Sequence, residues 1–295
     1  MVSATRRTRW RRGLVLVLGV VLTGCSALSF TYERLPTLLY WWMNRYVDFD
    51  PIQAPYARAD FATWHAWHRR EEIPRYVALL QRWQRELGGP LNADEVCAWR
   101  EPVVARMRAA FAAARPGLTR LAISLSEEQR ARLVEQFQES NRELRAEYAD
   151  GTPSARERDS RKRTEKFFRR LYGRLNSTQR AQIAARTAET AYDANRWLDE
   201  RAARQALILD GLREMGVSKA DSSAREAIAH AALDTFSAQF FNSPRADYQR
   251  YREALLGRNC RLFAEVHAAA SAAQVQRAQR KLADWESELL ALTTQ

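Results

Sequence analysis

His65 and His68 lie in the run Trp64, His65, Ala66, Trp67, His68, Arg69, Arg70, Glu71, Glu72, where His68 and Glu72 would share a helix face. That pairing invites a metal. Zinc catalysis takes a third protein ligand and usually two histidines four residues apart, as in His-Glu-x-x-His, and neither is present. The flanking Arg69 and Arg70 also repel a cation, so both histidines are expected to cap, stack or hydrogen-bond at the edge of a core. A metal-dependent hydrolase built on them stands only as a third reading. The chain has no Gly-rich phosphate loop and no Gly-x-Ser-x-Gly elbow. Cys97 and Cys260 have no adjacent histidine; His267, two turns after Cys260, is read as incidental. Carboxylate pairs abound on charged helices, and none is singled out for acid–base work. No catalytic residue, metal or cofactor is assigned, and a non-enzymatic protein is expected.

Cys25 carries a more specific chemistry. Arg6, Arg7, Arg9, Arg11 and Arg12 precede an apolar run from Leu14 to Leu22, the order of an export signal. The run is shorter than the roughly 20 apolar residues a lasting transmembrane helix needs. It ends in Leu22, Thr23, Gly24 and Cys25, which looks like a lipobox: an apolar residue, two small residues, then the cysteine whose thiol takes diacylglycerol. Several acyl chains on one residue anchor stably, at about 0.8 kcal/mol per buried methylene. Residues 1–24 are therefore expected to be a cleaved signal, with a covalent lipid on Cys25. No later segment approaches a spanning length. Ser26, rather than an aspartate, resembles the sorting signal of outer-membrane lipoproteins, so a periplasm-facing outer-membrane position is expected.

Cleavage before Cys25 leaves 271 residues and removes five arginines, so the net charge falls from +12 to +7. The remaining basicity is spread along helical faces without a compact cluster of interleaved aromatics, which argues against nucleic acid. Two cysteines remain. In an oxidising periplasm, Cys97 and Cys260 are expected to form a disulfide, the alternative being two buried free thiols. The bond would close a loop of more than 160 residues, worth about 5 kcal/mol in the chain-entropy model.

The elements that must carry these residues are helical. Gly and Pro number only 11 and 9, while Ala, Leu, Arg, Glu and Gln, all strong helix formers, abound. Asp50, Asn92, Ser126, Asn176, Ser223 and Ser271 are each followed three residues later by Gln53, Glu95, Gln129, Gln179, Glu226 and Gln274. This is the capping box, in which the first side chain accepts from the third helical N–H and the Gln or Glu accepts from the cap N–H. Ser154 with Glu157 is a seventh candidate. The irregular spacing excludes a solenoid of fixed period. Behind the caps, apolar residues recur at helical spacing, as in Leu133, Phe137, Leu144 and Tyr148, in Val104, Met107 and Phe111, and in Val275, Ala278, Leu282, Trp285 and Leu289.

Breaks are expected at Gly88–Pro90, Arg115–Gly117, Asp150–Pro153 and Asn242–Pro244. The charged stretch from Arg156 to Lys166 reads as an exposed helix. The aromatic stretch from Leu35 to Tyr46 reads as a first bundle helix filling the core, in preference to an interfacial segment in the headgroup layer. The chain divides into a signal (1–24), a lipidated tether (25–36) and an irregular all-α multi-helix bundle (37–295).

Two resemblances add to this. Leu125, Ser126, Glu127, Glu128, Gln129 and Leu175, Asn176, Ser177, Thr178, Gln179 look like the Leu-Thr-x-x-Gln motif of periplasmic chaperones of the Spy and CpxP type, helical cradles that bind client proteins. The lipobox, the stretch Leu39 to Tyr46 followed by Asp48 to Gln53, the run Trp67 to Arg70, the Cys97 segment, and Asn259, Cys260, Arg261 resemble a family of Gram-negative lipoproteins of unknown function. That resemblance implies the address, the helical fold and the cysteine pairing, and no reaction. The expected function is binding of proteins or envelope components, with chaperone-like action included; the alternative is a structural or assembly subunit of an envelope complex.

Overall fold

A computed structural model describes residues 24–189, 193–217 and 222–293. Every regular element among the described residues is helical, as the composition and capping pattern predict. The helices are α1 (Gly24–Glu33), α2 (Leu35–Val47), α3 (Gln53–Trp67), a π-helical turn (His68–Glu72), α4 (Ile73–Glu86), α5 (Ala93–Ala98), α6 (Arg100–Ser124), α7 (Glu127–Tyr148), α8 (Pro153–Tyr172), α9 (Ser177–Glu189), α10 (Ala194–Val217), α11 (Ser222–Phe241), α12 (Ala246–Ala268) and α13 (Ala272–Thr293).

Two main apolar cores organise them. The first joins α4, α8, α9, α12 and α13 around Leu87, Tyr172, Leu175, Ile183, Val266 and Ala278, each at most 1 % exposed. The second joins α2, α7, α10 and α11 around Val47, Leu125, Leu133, Leu212, Met215 and Ala229. Of the predicted apolar faces, Ala278 and Leu282 of α13 enter the first and Leu133 and Phe137 of α7 the second, while Leu144 and Tyr148 pack in a separate cluster with Ala149, Ala194 and Leu198, and Met107 of the face expected on α6 is exposed.

The capping boxes do more than start helices. At Asp50 and Ser126, each capping glutamine accepts its own cap N–H, from Asp50 to Gln53 Oε1 (3.1 Å) and from Ser126 to Gln129 Oε1 (2.9 Å). Their amide groups then bond each other reciprocally: Gln53 Nε2 donates to Gln129 Oε1 (3.0 Å) and Gln129 Nε2 to Gln53 Oε1 (2.6 Å). The spare amide hydrogens reach the carbonyls of Ser124 and Asp48. A second joint links the boxes at Asn176 and Ser271, where Gln274 Nε2 donates to Gln179 Oε1 (3.0 Å) and Gln179 Nε2 to Val266 O (3.1 Å). Gln53, Gln129 and Gln179 are thus buried with their polar atoms satisfied, as burial of an amide requires. The box at Asn92 is present without such a partner box. The Ser223 candidate adjoins the undescribed residues 218–221.

Several local expectations are corrected. The break foreseen at Arg115–Gly117 is absent, for α6 runs through Pro116. One lost backbone bond is outweighed there by packing against α3, where Gly117 lets the Asp60 side chain approach within 3.0 Å of its Cβ position. The cap of α8 is Thr152, which accepts from the Ala155 N–H, and not Ser154; Pro153 takes the first helical position, where its missing N–H costs nothing. Apart from these corrections, the residues expected to form the lipidated tether include most of α1, whose Tyr32 is buried against Ile73 and Leu292. Apolar side chains at helical spacing make it profitable to dock rather than to stay extended. The aromatic stretch is split: Tyr40 and Val47 are buried, whereas Leu38, Trp41 and Trp42 are 42 %, 62 % and 57 % exposed.

Candidate functional site

The first predicted site, around the histidines, is held by an irregular helix. Pro74 has no N–H to give the first turn of α4, and the chain widens before it, with the Ile73 N–H donating to His68 O across a π turn. His68 Nδ1 lies 2.9 Å from the Tyr32 hydroxyl and its Nε2 3.5 Å from that of Tyr76. The ring of Tyr32 packs on His65 with centroids 4.5 Å apart. Glu72, fully buried, pairs with Arg75 (2.7 Å) and Arg106 (3.3 Å). Burial lowers the pKa of both histidines, assisted at His65 by Arg69 and opposed at His68 by Glu72. Burial likewise pushes the Tyr32 hydroxyl up to about 12. Among the described residues no three His, Cys, Asp or Glu side chains converge as metal ligands. The histidines are engaged with aromatic and hydroxyl neighbours at a core edge.

Cys97 on α5 and Cys260 on α12 stand at disulfide distance, with S–S 2.02 Å and Cα–Cα 5.4 Å. His267, read as incidental, joins the first core to the loop after α4. Its Nε2 donates to Gly89 O (2.9 Å), which leaves Nδ1 to accept from the buried Tyr172 hydroxyl (2.9 Å). Cys25 belongs to α1; its side chain lies outside what the structure describes, as do residues 1–23 of the expected signal.

Sequence patterns did not disclose a cavity of about 620 Å³ inside the second core. That volume falls in the range of roughly 300–1,000 Å³ typical of ligand pockets. Its walls are apolar: Met43 and Tyr46 from α2, Phe111 and Leu121 from α6, Leu133 and Phe137 from α7, Ile208 and Leu212 from α10, and Leu233 and Phe236 from α11. The alanines of α11 explain the space. Gly211 of α10 meets Ala232 so closely that an added Cβ would stand 2.7 Å from the alanine's Cβ, and Ala229 is fully buried beside the same wall. These small residues bring the two backbones together without filling the volume on either side.

The charged and amide side chains of the lining, Arg201, Arg204 and Gln205, all come from α10, and among the described residues no carboxylate lines the cavity. Arg204 is bound to the buried Glu200 and lies over the Phe240 ring, 4.7 Å from its centroid. Arg201, half-buried, donates from Nε to Asn141 Oδ1 (2.8 Å) and from Nη2 to Ser140 Oγ (3.0 Å), both neutral acceptors. Gln205 is 8 % exposed; its carbonyl accepts from Asn141 (2.7 Å), while its Nε2 has no partner among the described residues. An unpaired buried donor of this kind costs about 1–3 kcal/mol. Trp42, exposed on α2, also belongs to the lining, so the cavity reaches the surface beside the exposed aromatic face. A smaller cavity of about 360 Å³ shares the wall of Met43, Leu118 and Leu121 and adjoins the exposed Ile52 and Tyr56.

The arrangement suits holding an apolar body with one polar end. Residues 45–226 match the Family of unknown function (DUF6279), and the chain belongs to that family. The match runs from the end of α2 to the start of α11 and so takes in most of the cavity wall. No curated protein matches the chain, and no solved structure does.

Proposed function

We propose that the chain is a lipoprotein held on the periplasmic face of the outer membrane by diacylglycerol on Cys25, and that it acts without catalysis, by binding. The bound moiety is apolar, from an envelope component or a client protein, and its seat is the cavity between α2, α6, α7, α10 and α11. The observation carrying this reading is the coincidence of a ligand-sized apolar volume with a cluster of charged and amide side chains, Arg201, Arg204 and Gln205, contributed by α10. Supporting the membrane address, Leu38, Trp41 and Trp42 form an exposed apolar face on α2, the helix that follows the one bearing Cys25, and tryptophan favours the headgroup layer. No described helix is long and apolar enough to cross a membrane, which accords with anchoring by lipid.

A photoreactive amino acid at Leu233 in the full chain, illuminated in cells, tests the reading. Covalent capture of lipid or polypeptide at that position, absent when Ile208→Trp fills the space, is the expected result. No adduct of either kind would remove it. Chaperone-like action is separately expected to slow aggregation of unfolded clients; a chain that leaves several clients unprotected is not a chaperone. A second reading, an assembly subunit of an envelope complex, draws on the exposed Ile52 and Tyr56 beside the smaller cavity. A stoichiometric partner recovered by crosslinked pull-down, and lost in Ile52→Ser with Tyr56→Ser, would favour it.

A further inference from the structure

We infer that the larger cavity takes a single long acyl chain ending in a carboxylate, a free fatty acid, with Arg201 holding the carboxylate. The inference rests on the binding reading above and goes further by naming the ligand.

Charge is the first argument. Arginine is always protonated, and burying it even partly is tolerated when a carboxylate or comparable anion neutralises it. Arg201 has no acidic partner among the described residues; its two bonds go to the neutral Asn141 and Ser140. Those bonds fix Nε and Nη2 and so orient the guanidinium without spending its charge. Arg204, one turn further along α10, differs in this respect, since Glu200 already neutralises it. The second argument is hydrogen bonding. Gln205 follows on the same wall with a buried amide donor that no described acceptor meets. A cation and an unmet donor, both on α10 and both lining one cavity, define an acceptor-bearing anion as the missing group.

Shape supplies the chain. Apart from Arg201, Arg204 and Gln205 the lining is aliphatic and aromatic, and among the described residues no carboxylate within it would repel the head group. A polypeptide helix would bring its own backbone and a row of polar side chains into this space. A single acyl chain brings one polar end, matching the one polar end of the cavity. Trp42 connects the cavity to the exposed aromatic face of α2, giving a chain in the adjacent leaflet a route that stays apolar.

The probe is palmitate carrying a diazirine near its methyl end, applied to membranes containing the full chain. The expected result is saturable labelling that maps to peptides of α10 and α11 and is competed by unlabelled palmitate. Leu233→Trp or Ile208→Trp should abolish it, with thermal melting used to show that the variant is folded. Arg201→Gln should weaken competition by palmitate about tenfold or more, as expected for loss of a hydrogen bond to a charged group. It should leave competition by hexadecanol unchanged, and Arg201→Lys should recover part of the palmitate affinity. Should Arg201→Gln itself fail to fold, the comparison of palmitate with hexadecanol on the wild-type chain decides the point. Equal competition by the two overturns the carboxylate assignment, and stronger competition by lysophosphatidylglycerol than by palmitate does so as well. If the diazirine labels nothing in the cavity while a photoreactive residue at Leu233 captures polypeptide, the fatty-acid inference falls and the binding reading stands. If neither adduct forms, both fall.

Discussion

His65 and His68 lose hydration on folding, and in the unfolded chain each titrates near the usual value of about 6.5. Because burial lowers the folded value, the unfolded chain binds protons more readily between the two values. The stability these residues permit is therefore complete above about pH 6.5 and declines as the pH falls from there towards their depressed values. Melting temperature is expected to fall between pH 7 and pH 5, and His65→Gln with His68→Gln should flatten that part of the profile. An unchanged slope in the double variant would place the acid sensitivity elsewhere. The sequence placed both histidines correctly at a core edge. It could not show that Tyr32 and Tyr76 flank His68, since Tyr32 lies 36 residues upstream and reaches it only because α1 folds back onto α4 and α13.

Each of the joints built from capping boxes uses a glutamine for two tasks, receiving its own cap N–H and bonding a neighbouring helix start. Removal of an ordinary cap costs about 1 kcal/mol. Asn92→Ala, where the box stands alone, should cost about that much in urea unfolding. Gln129→Ala is expected to cost more, because it strands both the Ser126 N–H and the buried Gln53 amide. Equal losses in the two variants would show that the amide pair contributes nothing beyond capping. A different balance governs Gly211. Alanine is better than glycine in a helix by about 1 kcal/mol. Its Cβ would nevertheless stand 2.7 Å from that of Ala232, an atom with no flexible end to yield. Gly211→Ala should thus be destabilising, by about 1–3 kcal/mol for an overpacked core, and a gain in stability would mean that α10 and α11 can separate freely. The caps were legible because they depend on residues three apart. Their pairing was not, because Gln53 and Gln129 are 76 residues apart and nothing in either box names its partner. Pro116 shows the same limit from the other side, as a local helix breaker overruled by tertiary packing.

Across the whole molecule, the contact between Cys97 and Cys260 closes 163 residues of sequence and ties the short α5 to α12. Loss of such a long closure is expected to cost about 2–5 kcal/mol. Cys97→Ser with Cys260→Ser should lower the urea midpoint accordingly, and alkylation of the unreduced chain followed by intact-mass measurement should find neither thiol free. Helical class, the main helix starts, most of the breaks and the apolar faces all follow from sequence alone, because each is set by residues within one or two turns of one another. The cavity does not. Periodicity tells which face of a helix is apolar, but whether five such faces fill the space between them depends on side-chain volumes summed across α2, α6, α7, α10 and α11 at their final distances. Here Gly211 and the alanines of α11 set those distances short on one side and leave volume on the other. Likewise, an arginine at position 201 reads in sequence as one more charge on a solvated helix. Only the folded chain bonds it to Asn141 and Ser140, without an ion pair to a described carboxylate and against an apolar cavity, because electrostatic neutralisation is settled by neighbours in space.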